Sequence, residues 1–206
     1  MVTEIRGPQD GTWGEWIELY NATDETLDLR GLRGSFERLS GAEIQGESEL
    51  TFIIRDSLVL EAGAYVVLGS RPLSMDAPEI DYSFSADFRR EPEQVEASGG
   101  TVILPESENA NPVAFFGNAR LSLFSCERVI DSVDLRTLPR QGTLSFDGAR
   151  VPDAGDNDNT DDVAYWCTDD VSEALEKWSE FSVVGMWPGT PGEPNIPCDA
   201  DPEGAP

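Results

Sequence analysis

The sequence predicts an all-β protein in which short antiparallel strands pack as a two-layer sandwich or a barrel, with long loop insertions and one short helix. Three observations carry this. Apolar, β-branched and aromatic residues come in runs of four to six, often alternating with polar ones. Turn residues punctuate those runs, and helical periodicity is almost absent. Hydrophobic residues make up 39% of the 206 positions, enough for a real core.

The elements follow in order. Trp16-Ile17-Glu18-Leu19-Tyr20 alternates as a half-buried strand should, and Asn21–Glu25 supplies a turn. Leucines recur every second or third position through Leu27–Leu32. Leu50-Thr51-Phe52-Ile53-Ile54 and Tyr65-Val66-Val67-Leu68 are β-branched or aromatic runs, with Glu61-Ala62-Gly63 as a turn before the second. Thr101–Leu104, Arg120–Phe124, Val129–Val133 and Val163–Trp166 continue the series. Val171–Phe181 reads as the one helix: Ala174, Leu175 and Trp178 share a face, Asp169, Asp170 or Ser172 can cap it, and Glu173 stands four residues before Lys177.

Residues 1–195 are read as one domain, interrupted by an insertion at about 71–100 that holds at most a brief strand around Tyr82-Ser83-Phe84. Ala149–Asp162 is a polar acidic loop. From Trp187 onward the chain is rich in Pro and Gly and reads as a linker, with 196–206 as a Pro/acidic tail. There is no internal repeat.

Composition excludes several functions. Forty acidic against fourteen basic residues give a formal charge of −26, and Lys177 is the only lysine. Such a surface repels phosphate backbones and anionic lipid, so nucleic acid is the first partner to exclude. A well-solvated, salt-adapted surface accounts for the charge; affinity for divalent cations or basic partners is the functional alternative. No apolar run approaches the roughly 18 residues of a membrane span, so direct membrane insertion is not expected. No basic-then-apolar leader opens the chain, which leaves a cytosolic protein or one whose leader has been removed. The absence of histidine removes Ser–His–Asp triads, Cys–His pairs and imidazole ligands together.

Val2-Thr3-Glu4-Ile5, Gly14–Asn21 and Leu27–Leu32 resemble the opening strands of the lamin-tail domain. Leu58–Gly69 is similar to that family's next hairpin, Arg120–Leu123 and Val129–Asp134 to its later strands, and Gly189-Thr190-Pro191-Gly192-Glu193-Pro194-Asn195 to its usual ending. Together they cover most of Val2–Asn195 in the right order. The resemblance implies an immunoglobulin-like β-sandwich with no known catalytic residues. In bacteria such domains occur in secreted or surface proteins; in animals they cap nuclear intermediate filaments. The insertion, the helix-like stretch and the lack of a coiled-coil rod depart from the family pattern, and the missing rod argues against a filament role.

The resemblance also implies a disulfide. Relatives with a Cys in the late strands and a Trp-Cys near the end look similar, so Cys126 and Cys167 are expected to pair across the sandwich, leaving Cys198 free or joined to another chain. Two reduced thiols in a cytosolic protein are the alternative. From the residues themselves, Asp153, Asp156, Asp158, Asp161 and Asp162, with Asn157 and Asn159, form the most metal-like stretch. Calcium takes six to eight oxygens, yet the spacing is not an EF-hand, and a solvated acidic loop competes with the calcium reading. Trp16 and Trp166 belong to strands and to the core. Trp13 and Trp187, beside Gly and Pro, are candidate exposed contacts, with edge packing as the plainer account.

The expected function is therefore non-enzymatic: a secreted or cell-surface structural or binding module, extracellular or in the cell envelope, acting through a protein partner or self-association. The alternative is an accessory domain binding glycan or polymer through Trp13 or Trp187. A metal-assisted hydrolase built on Asp153–Asp162 is a third reading.

Overall fold

A computed structural model describes residues 1–7, 14–40, 43–70, 80–84, 117–139, 142–169 and 189–198. Among these the chain is all-β. The strands are β1 (Val2–Arg6), β2 (Trp16–Tyr20), β3 (Leu27–Asp28), β4 (Arg33–Ser40), β5 (Glu43–Ile53), β6 (Val59–Leu60), β7 (Tyr65–Gly69), β8 (Tyr82–Ser83), β9 (Ala119–Ser125), β10 (Arg128–Leu135), β11 (Thr143–Phe146) and β12 (Trp166–Asp169). They form a six-stranded sheet in the order β12-β11-β1-β2-β7-β8, a four-stranded sheet β10-β9-β4-β5, and the short pair β3-β6.

The two large sheets share one apolar core. Ile5, Ile17, Leu68 and Leu144, which stand opposite one another across β1, β2, β7 and β11, meet Phe36, Leu50, Phe52, Leu121, Leu123 and Val133 from the other sheet. Each such side chain contributes about 1.5–3 kcal/mol by leaving water. Trp16 and Trp166 are buried, as the sequence predicts, and Trp166 packs edge-on against Phe146, its partner across the β11–β12 pair.

Several expectations need correction. One pairing is parallel: β7 with β8, where Leu68 stands opposite Tyr82. The brief strand expected near Tyr82 is β8, and the residues flanking it pack into the core region. Phe84 stacks on Phe52 with ring centroids 4.5 Å apart, and Ile80 packs with Trp16 and Val67. Strands β4, β11 and the first half of β5 escape the sequence reading. In β4 the reason is a bulge between Glu37 and Leu39, which lets Phe36 and Leu39, three residues apart, both be buried and breaks the two-residue period. Val163–Tyr165 forms a turn and not a strand, with Val163 85% exposed, and β12 starts only at Trp166. The expected helix at Val171–Phe181 and the strand at Thr101–Leu104 lie outside the described residues.

The disulfide is also different. Cys167 bonds to Cys198, with 5.6 Å between their Cα atoms, and Cys126 is a free, exposed thiol. Cys126 occupies the turn between β9 and β10 in the left-handed region (φ 53°), at the end of the four-stranded sheet. Cys167 lies on the edge strand of the other sheet, where the returning chain end passes. The segment expected to be a linker is thus folded as far as Cys198.

Candidate functional site

Beside the apolar cluster of Trp16, Val67 and Ile80, the outward face of the six-stranded sheet carries polar side chains that are sealed from water. Thr3 and Glu4 on β1, Glu18 on β2, and Thr143 and Ser145 on β11 are each at most 1% exposed. In β1 a register shift between Val2 and Glu4 turns Val2 and Ile5 to the core and leaves Thr3 and Glu4 outside it. Glu4 stands directly opposite Glu18 on one side and Ser145 on the other.

Gly189–Asn195 crosses this face as a strap and provides the missing partners. The Thr190 amide donates to both Glu4 carboxylate oxygens at 3.2 Å, and the Gly192 amide donates to Glu18 Oε2 at 2.7 Å. Asn195 Nδ2 donates to the carbonyls of Thr3 (2.8 Å) and Phe146 (3.0 Å), while its Oδ1 accepts from Thr190 Oγ1 at 3.0 Å. From the sheet, Thr143 Oγ1 and Ser145 Oγ donate to Glu4, the latter at 2.8 Å, and Thr3 Oγ1 donates to Glu18 at 2.8 Å. Gly189 has a positive φ of 83°, and a side chain there would collide with the Glu4 carboxylate and Thr143. Gly148 is needed for a different reason: the Asn195 carbonyl occupies the space a Cβ would take.

Beyond the strap, the Gly148 amide donates to the Ile196 carbonyl (3.2 Å), the Cys198 amide donates to Asp147 Oδ1 (3.0 Å), and the disulfide closes the arrangement.

Burial sets the electrostatics. Loss of hydration pushes the Glu18 carboxyl well above the ordinary glutamate value, and the Glu4 charge adds to this. The bonds from Thr3 and Gly192 oppose it, and Asp81 contributes a smaller upward push. Burial likewise raises Asp81, against the opposing Val67 amide. The Tyr65 hydroxyl is pushed up to about 12 by burial, then by Glu18 and Tyr20. Glu4 accepts from two hydroxyls, those of Thr143 and Ser145, and from the Thr190 amide.

The acidic loop has a structural task. The Asp158 carbonyl accepts from the Asp134 amide (2.7 Å), and the Asp134 carbonyl accepts from the Thr160 amide (3.1 Å), forming a parallel bridge on the edge of β10. Asn157 is buried and donates to the Val2 carbonyl (3.0 Å) and to Asp131 Oδ2 (3.1 Å). The side chains of Asp153 and Asp162 hold turns by accepting from the amides of Gly155 and Ala164. Asp156, Asp158, Asp161 and the two others do not converge: among the described residues no group of three or more acidic or thiol side chains could hold a metal ion. No such group supports the calcium expectation, the loop being docked along β10.

The loop covers only part of β10. At the other end of the strand, Val129 and Ile130 are half exposed beside the Cys126 turn. Trp13 and Trp187, the expected contact aromatics, lie outside the described residues.

Glu4, Glu18, Thr190 and Asn195 all lie in the segments Val2–Ile5, Gly14–Asn21 and Gly189–Asn195 that carry the sequence resemblance, and no sequence spacing shows that they touch. Their signal is a glutamate in each of two strands that also carry core residues, Val2 and Ile5 in β1 and Ile17 and Leu19 in β2. The chain matches no protein-family model, and no curated protein matches it.

Proposed function

We propose that this chain is a lamin-tail-type, immunoglobulin-like module of an extracellular or cell-envelope protein, which acts by contact with a protein partner or a second copy and performs no catalysis. The observation that carries the reading is the meeting of the three motifs. The opening strand (Glu4), the Gly14–Asn21 segment (Glu18) and the Gly189–Asn195 ending, far apart in sequence, join in one buried network. That convergence gives the motif residues a common structural task, locking the ending onto the first strands. The Cys167–Cys198 bond favours an oxidising compartment.

Contact is assigned to the exposed start of β10. An edge strand offers unpaired backbone groups to an incoming strand, and Val129 and Ile130 add apolar side chains there. With a charge of −26, copies of the chain repel one another at low salt, so association between them is expected to strengthen as salt screens the charge. Sedimentation velocity of the whole chain at low and high salt tests this. The expected result is salt-promoted association that Val129→Asp with Ile130→Asp abolishes. A monomer at every concentration and salt removes self-association and leaves a heterologous partner. An association indifferent to the double replacement removes β10 as the surface.

A further inference from the structure

We infer that the Gly189–Asn195 strap is a pH-responsive latch, docked while Glu4 and Glu18 hold a proton between them and released when both carry charge. This does not depend on the identity of any partner.

The geometry is that of two carboxylates on neighbouring strands in direct register, fully buried, with the strap as their cover. Two of the strap's anchors, the amides of Thr190 and Gly192, end on these carboxylates. A second negative charge therefore appears under the segment that shields both groups from water. Lifting the strap hydrates both charges at once, while the Cys167–Cys198 bond keeps the freed segment tethered to β12.

Among the described residues, the other ionisable groups on or beside this face are Asp81 before β8, Tyr20 on β2, Tyr65 on β7, Arg6 on β1, and Asp147 after β11, which accepts from the Cys198 amide beyond the strap and pairs with Arg150. Asp81 is acidic and raises Glu18 further, and the Tyr65 hydroxyl stays protonated to about 12. Arg6 donates to the Gly14 carbonyl. The strap itself carries one titratable side chain, Glu193, which is exposed. β11 contributes only hydroxyls here, from Thr143 and Ser145.

The direction follows from the chemistry. The docked form holds its Glu18 proton to higher pH than the lifted form, in which the carboxyl is hydrated. Docking is thus complete below the ordinary glutamate value of 4.5 and is lost as pH rises through the elevated one.

Amide hydrogen exchange from pH 4 to 9 tests the latch, after correction for the intrinsic base-catalysed rate. Opening at Thr190 and Gly192 is expected to increase about tenfold per pH unit between the ordinary glutamate value of 4.5 and the elevated one, where one proton separates the two forms, and to be level below and above that range. Exchange at Leu144 in β11 is expected to stay flat. Glu18→Gln removes the proton and should abolish the slope. In the unaltered protein, the carboxyl carbon signal of Glu18 reads the same titration without any replacement, so a misfolded variant does not leave the question open. Equal slopes in wild type and Glu18→Gln, a Glu18 signal titrating at the ordinary glutamate value, or a pH response shared by all strands would each overturn the latch.

Discussion

Replacing Asn195 by alanine removes three hydrogen bonds in a single step. Two Nδ2 donations, to the carbonyls of Thr3 on β1 and Phe146 on β11, tie the strap to two different strands, and Oδ1 receives the Thr190 hydroxyl. At roughly 1 kcal/mol net each, the bonds alone account for about 3 kcal/mol. Asn195 is buried, so the groups left behind are dry, and a buried polar group without a partner costs about 1–3 kcal/mol more. The loss has a ceiling. The strap can lift and let water reach these groups, so the replacement cannot cost more than docking of the strap is worth. We therefore expect about 3–4 kcal/mol. Equilibrium urea unfolding followed by fluorescence of the buried Trp16 and Trp166 measures it. With a slope of about 2 kcal/mol per molar urea, the midpoint should fall by about 1.5–2 M. Thr190→Val in the same background should add less than it does in wild type, because the two side chains bond to each other. A loss below about 1 kcal/mol, or strict additivity with Thr190→Val, would refute the account of the strap as the lock on the first strands.

Two further outcomes are expected. Under non-reducing denaturation one thiol, Cys126, should react, and three after reduction; reduction should cost about 3–4 kcal/mol by the chain-entropy estimate for a loop of 31 residues, read as a drop in thermal midpoint. At Asp147, burial raises the carboxyl, but the amides of Cys198 and Ala149 and the Arg150 guanidinium together outweigh it and hold it below the usual aspartate value. Its contribution is therefore present above pH 3.8 and lost as pH falls through the depressed value, so Asp147→Asn should be less stable than wild type by about 1–3 kcal/mol at neutral pH. That gap should close in acid urea titrations; one that persists below the depressed value, or widens, would contradict the assignment.

What was legible in the sequence was whatever depends on neighbours along the chain. Trp16–Tyr20 and Tyr65–Leu68 announce strands because their side chains alternate or branch at Cβ, and Trp16 and Trp166 are too large and apolar to be left in water. Where the period slips, at the bulges in β1 and β4, local pattern loses the face a residue points to, and β4 went unseen.

The tertiary structure decided everything that needs two distant segments to meet. Cys167 chooses Cys198 over Cys126 because the chain end returns along the β12 edge, and no spacing records that return. The Asp153–Asp162 carboxylates suggest a cation by composition, yet docking of the loop on β10 spreads them apart. The burial of Glu4 and Glu18 is not legible in the sequence, because alternation gives the side of a sheet and says nothing about what covers it. A polar Pro/Gly-rich ending reads as a linker for the same reason. Only when its amides find two buried carboxylates does a segment without an apolar face acquire a place to fold.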